Sequence, residues 1–202
     1  MKKEWIVAAM VLALAVGAGA QGVSSEYVLS IGSGDVTTYT PAVGVETGTY
    51  YKLDFDVPEV DGGAVLESAY LEFYVDVQSV VQGDFHWFDA DSVEHVGYEA
   101  RTPLVEVFAL TSPIAGAVQE GQLDKTTAAR RPVLVGTNRR VVVNITPIVR
   151  AFIDNPLRNL GIVVGSFTGT READFTLRGG DFPEESRARV SITFAPAWRE
   201  RE

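Results

Sequence analysis

Alternation with a period of two residues constrains this chain more than any other feature. In 51–57 (YKLDFDV) the apolar Tyr51, Leu53, Phe55 and Val57 alternate with Lys52, Asp54 and Asp56. In 68–77 Ala69, Leu71, Phe73, Val75 and Val77 form one set, and Tyr70, Glu72, Tyr74 and Asp76 the other. Successive side chains of a strand face opposite sides of a sheet, so such runs ask for one dry and one wet face. Val141, Val143 and Ile145 repeat the pattern, as do Val190, Ile192 and Phe194, and Phe175 with Leu177. Residues 105–110 (VEVFAL) and 161–167 (GIVVGSF) are apolar almost throughout, as a strand buried on both faces is. With 26–31 (EYVLSI) the total is about eight strands, which predicts an all-β, antiparallel sandwich. The expected loops are 32–48, 58–64, 78–103, 111–139 and 179–187.

One short segment departs from that period. Thr146 stands where a helix N-cap belongs, and Pro147 suits the first helical position. Ile148, Val149, Phe152 and Ile153 follow as a helical apolar stripe, and Asn155, preceding Pro156, is biased away from helix. A helix over 147–154 is too short to be stable alone. Its stripe fits a lid over the open end of a sandwich.

The first twenty residues read as a secretory signal. Lys2 and Lys3 form a positive start, Ile6 to Val16 an apolar run, and Ala18-Gly19-Ala20 a cleavage site. The apolar run is shorter than the ~20 residues that span a bilayer. The processed chain is therefore expected to begin near Gln21, to form a single domain over 21–202, and to enter no membrane after cleavage. Its expected location is the periplasm, the cell surface or the medium. The chain has no cysteine, which removes disulfides, thiol nucleophiles and thiolate metal sites.

Net charge is −10, unevenly spread. Residues 21–124 hold 18 acidic residues against Lys52 and Arg101, whereas 125–202 hold 13 basic and 8 acidic ones. An acidic first half disfavours nucleic acid and anionic lipid as partners. Strands from the two halves are expected to lie side by side and partly neutralise each other.

Residues 50–75 (YYKLDFDVPEVDGGAVLESAYLEFYV) resemble the early signature of the DNRLRE-type, disaggregatase-related domain, carried by Phe55, Asp56, Val57, Pro58, Ser68, Ala69, Leu71 and Val75. Residues 141–164 are similar to its later signature, carried by Asn144, Ile145, Thr146, Val149, Phe152, Asn159, Gly161 and Ile162, and 187–194 (RARVSITF) to its closing strand. The resemblance covers most of 50–194. It implies a jelly-roll-like sandwich of secreted and surface-bound microbial proteins, some of which bind polysaccharides. This chain departs from the pattern. It lacks an Asn-x-Gly within 32–48, carries Phe152 where Trp is common, and replaces the Trp-rich stretch after 105–110 by a segment, 111–136, without aromatics.

The richest chemistry lies in 82–103 (QGDFHWFDADSVEHVGYEARTP), which looks like an insertion. It holds both histidines, His86 and His95, with Phe85, Trp87, Phe88 and Tyr98. An aromatic flanked by polar groups can stack on a sugar ring while neighbours bond its hydroxyls, so Phe85, His86, Trp87, Phe88 and Tyr98 are the candidate ligand contacts. A long loop pinned by its own aromatic cluster would show the same composition. Asp89, Asp91 and Glu94 are oxygen donors that Ca²⁺ could use, though the order of an EF-hand loop is missing. Zinc on His86 and His95 would need a third ligand. For hydrolysis no local pattern selects a carboxylate pair, and no Gly-x-Ser-x-Gly elbow is present. The expected function is a secreted, non-catalytic module that binds extracellular polysaccharide. The alternative is a structural or protein–protein component of the envelope or surface, and a glycan-acting hydrolase comes third.

Overall fold

The computed structural model describes residues 24–39, 50–59, 63–80, 83–88, 92, 94–99, 104–165, 173–178 and 186–196, with the backbone alone for 33, 78–80, 83–88, 94–99 and 173–175. The strands of the first half are β1 (Ser25–Ser30), β2 (Val36–Tyr39), β3 (Tyr50–Leu53), β4 (Val65–Val80), β5 (Gly83–Phe88), β6 (Glu94–Glu99) and β7 (Leu104–Leu110). Those of the second are β8 (Leu123–Pro132), β9 (Gly136–Asn144), β10 (Ile162–Gly165), β11 (Ala173–Leu177) and β12 (Arg189–Ala195). The one α-helix, α1, spans Thr146–Asp154.

Two antiparallel sheets face each other. The first is ordered β1–β12–β4–β9, with β11 beside the far half of β4. β12 pairs with 65–72 of β4 and β11 with 75–80, both opposite the edge taken by β9. They lie in line along one side of β4. The second sheet is ordered β2–β3–β10–β7–β8, and β5–β6 form a separate two-stranded ribbon. Without β2, the ribbon and β11, eight strands remain. They pair first with last (β1–β12), second with seventh (β3–β10), third with sixth (β4–β9) and fourth with fifth (β7–β8). That nesting is a jelly roll.

The expected number of framework strands holds, but not their identity. β8 falls inside the expected loop 111–139, while β11, counted as a strand of its own, lies in line with β12 beside β4. β8 escaped detection because it is an edge strand, exposed or half-buried along most of its length, whose sequence LDKTTAARRP carries no alternation. β2 and the ribbon likewise lie within stretches expected to be loops. Strand β4 is longer at both ends than the alternation in 68–77 indicates.

The inner core joins the two sheets. Leu71, Phe73 and Val75 of β4, Val141 and Val143 of β9, Val190 and Ile192 of β12 meet Leu53 of β3, Val105 and Val107 of β7, and Ile162 and Val164 of β10. Each such side chain contributes roughly 1.5–3 kcal/mol when fully buried. Helix α1 closes one end of this core through Ile148, Val149 and Phe152, the last tilted against Phe55 with ring centroids 6.2 Å apart. Ile153 is 39 % exposed, so the stripe has three members, not four.

Thr146 does not cap the helix. Ile145 holds the N-cap position, and the Thr146 hydroxyl instead accepts the Ala69 N–H of β4 at 2.8 Å. The side chain of Asn144 accepts the Thr146 N–H at 2.9 Å, satisfying a donor the helix leaves open. The lid is thereby bolted to β4.

A second, smaller core lies on the outer face of the second sheet. Tyr50, Phe108, Leu110, Leu123 and Val163 are buried there beneath Val118 and the partly buried Ile114. Those last two belong to the connection 111–122, whose ends meet where Leu110 pairs with Leu123. The Gln122 side chain accepts the Gln119 N–H and donates to the Pro113 carbonyl, which holds the loop folded back. This accounts for the continuously apolar β7 and β10, and it shows what the aromatic-free replacement segment does. It roofs a sheet.

Candidate functional site

Several of the motif residues that carry the family resemblance are occupied with structure. Asn159 donates its amide to the Phe55 carbonyl at 2.9 Å, and its side-chain oxygen accepts the Gly161 N–H. Gly161 has a φ of +88°, and a Cβ there would come within 2.9 Å of the Leu53 carbonyl oxygen. Asn144 and Thr146 fix the helix. None of these side chains is left over for a ligand, so the search moves to the outer surfaces.

The ribbon β5–β6 carries the residues singled out in 82–103. It follows β4 after two residues, so it starts within about 11 Å of the end of that strand. That end is the one opposite α1, because α1 bonds near Ala69, at the start of β4. Its register sets Asp84 opposite Tyr98, Phe85 opposite Gly97, His86 opposite Val96, Trp87 opposite His95 and Phe88 opposite Glu94. The expected loop is thus largely a hairpin. By strand alternation Phe85, Trp87 and His95 share one face, and His86, Phe88, Glu94 and Tyr98 share the other. The two histidines therefore occupy opposite faces of the ribbon, a poor arrangement for one zinc ion. Asp89 and Asp91, the other two donors of the calcium expectation, lie outside the described residues. Among the described residues no group of three or more His, Asp or Glu side chains is placed to hold a metal.

The outer face of the first sheet presents a second constellation, one the sequence does not announce. Tyr70, Glu72, Tyr74 and Asp76 stand along β4. Tyr70 is flanked in register by Asn144 and Ser191, and Glu72 by Val142 and Arg189. Arg140 grips Glu72 with two parallel bonds, Nε to Oε1 at 2.9 Å and Nη2 to Oε2 at 2.7 Å. The Arg140 bond holds the Glu72 carboxyl below its ordinary pKa, helped by the charges of Arg140 and Arg189 and by Tyr74. Asp76 accepts the Asn138 N–H at 2.6 Å and pairs with Arg178 at 3.0 Å, and these bonds, the backbone one foremost, lower its pKa too. Both carboxylates are thus fixed in the ionised form. They suit hydrogen bonding to hydroxyls and do not suit general-acid work. Tyr70 is 42 % exposed and offers a ring between an amide and a hydroxyl.

The alternation in 68–77 identifies the four β4 residues as outward-facing. The hydrogen-bonding partners of Glu72 and Asp76 come from 62 to 102 positions further along the chain, and no local signal names them. Each cross-strand ion pair here joins the acidic half to the basic half. The same holds across β7–β8, where Glu106, 1 % exposed, is paired with Arg130 directly opposite. The expected interleaving of the halves is therefore realised strand by strand.

No helix among the described residues is long and apolar enough to cross a membrane. No protein-family model matches the chain, and no curated protein matches it.

Proposed function

We propose that this protein is a secreted, non-catalytic jelly-roll module that binds extracellular polysaccharide through its ribbon, with Phe85 and Trp87 as contacts on one face and His86, Phe88 and Tyr98 on the other. The observation that carries the reading is the ribbon itself. An aromatic-dense hairpin, held in a defined backbone register, hangs from the longest strand of the sandwich. Ligand contacts are commonly built on excursions from a rigid scaffold of this kind. The resemblance of 50–194 to the DNRLRE-type domain supports the same class, and the ionised, arginine-held carboxylates of the outer face favour binding over hydrolysis.

The test is a glycan array and a polysaccharide pull-down with the purified protein and Trp87→Ala. The expected outcome is binding that the substitution abolishes while the far-UV spectrum stays unchanged. Binding that is unaffected by Trp87→Ala would move the site off the ribbon. Turnover of a polysaccharide that survives removal of both histidines would overturn the non-catalytic reading.

A further inference from the structure

Among the described residues five strands of the two sheets pair on one side alone, and four of them carry devices against pairing, β11 by its bulge against β4. β8 bears Lys125, Arg130, Arg131 and Pro132, and its register with β7 slips. β9 bears Arg139 and Arg140, has a register shift against β4, and places Asn138 at a φ of +52°. β2 is four residues long. Charge, proline, bulges and shortness are the usual means of blunting an edge.

β1 has one charge, Glu26, and none of the others. Its six residues pair with β12 in unbroken register from Ser25–Phe194 to Ser30–Arg189. It contains no Lys, Arg or Pro, and Glu26 is its one charged residue. Among the described residues β12 is its one strand partner. It is also apolar on both faces. Val28 points outward and is 51 % exposed. Tyr27 and Leu29 point inward yet are only partly buried against the core, Tyr27 meeting Phe194 edge-on with ring centroids 5.9 Å apart.

We propose that the free edge of β1 is where two copies of this chain join, antiparallel, about a two-fold axis normal to the sheet. Such an axis keeps each face on its own side, so a residue meets only a residue of its own face. Centred on Val28, the register sets Val28 against itself, Tyr27 against Leu29 and Glu26 against Ser30. Centred on Tyr27, it sets Glu26 against Val28. Neither brings acid to acid, but only the register centred on Val28 brings Tyr27, Val28 and Leu29 together, and that is the register proposed. The edge is self-complementary, which is what a second copy requires and an arbitrary strand does not. Pairing would extend the four-strand-wide sheet across both molecules and leave the ribbon of each free.

Sedimentation of the purified protein across a concentration series should show a monomer–dimer equilibrium. Val28→Lys sets two ammonium groups face to face across the axis and should weaken association by about tenfold or more, with an unchanged far-UV spectrum. Because the chain has no cysteine, Val28→Cys should form a disulfide-linked dimer under mild oxidation. Leu157→Cys, exposed at the helix end of the sandwich, should not. A protein that stays monomeric at every accessible concentration overturns the proposal. So does association that persists in Val28→Lys while Val28→Cys fails to cross-link, since another surface or segment would then be responsible.

Discussion

The two sheets of this sandwich treat their outer faces in opposite ways. The face of β3, β10 and β7 is roofed by 111–122 and buries Tyr50, Phe108 and Val163. The face of β4, β9 and β12 stays wet, with Tyr70 exposed and Glu72 and Asp76 held by arginines. The first is a second core and the second a surface. A residue's distance from the sandwich centre is therefore no guide to what it contributes. Cover decides.

The sharpest way to break this comparison is a pair of truncations. Phe108→Ala, outside the sandwich but 3 % exposed, should cost about 3–5 kcal/mol in urea denaturation, as an inner-core phenylalanine would. Tyr70→Ala, on the outer face of the other sheet and 42 % exposed, should stay within about 0.5 kcal/mol. Equal costs would mean that the roof is not a core. A smaller effect is expected at the join between lid and roofed sheet. In Gly161→Ala the new Cβ would lie 2.5 Å from Asp54 Oδ1 at a φ that disfavours any side chain. A loss of about 1–3 kcal/mol is expected there, and an unchanged midpoint would show that the approach relaxes freely.

The smallest effect belongs to the wet face. The folded-state pKa values of Glu72 and Asp76 are lowered, so their contribution to stability is complete at neutral pH. It fades as pH falls through the ordinary carboxylate range near about 4 and is gone below the lowered values. Exposed pairs of this kind are worth about 0.2–1 kcal/mol each. Glu72→Gln with Asp76→Asn should therefore lower the denaturation midpoint slightly at pH 7 and flatten its decline toward pH 3. An unchanged acid profile in the double variant would assign that sensitivity elsewhere.

Much of the fold is legible in the residues alone. Ala69, Leu71, Phe73, Val75 and Val77 face inward as their spacing requires, and so do Val141, Val143, Val190 and Ile192. The near-continuous apolarity of 105–110 and 161–167 marks strands buried on both sides at 104–110 and, within the second stretch, at 162–165, residues 166–167 lying outside the described ones. The edge strand β8 was not legible, because a strand that touches water along most of its length has no reason to alternate. The aromatic content of 82–103 was legible as chemistry, but its hairpin register was not, since two aromatic-rich strands can pair in several ways. Thr146 carries a strong capping signal that is overridden by a partner 77 residues away.

By itself, then, the sequence determined which faces are dry, where the helix interrupts the strands, and that acid and base are segregated along the chain. These are properties of neighbours within a few residues, where backbone geometry ties spacing to direction. Packing alone lays 111–122 over a sheet, brings Glu72 to Arg140 and Arg189, and leaves β1, among the described residues, with a strand partner on one side. Each of those depends on which distant strand arrives alongside, and that choice is made by the packing of the whole core.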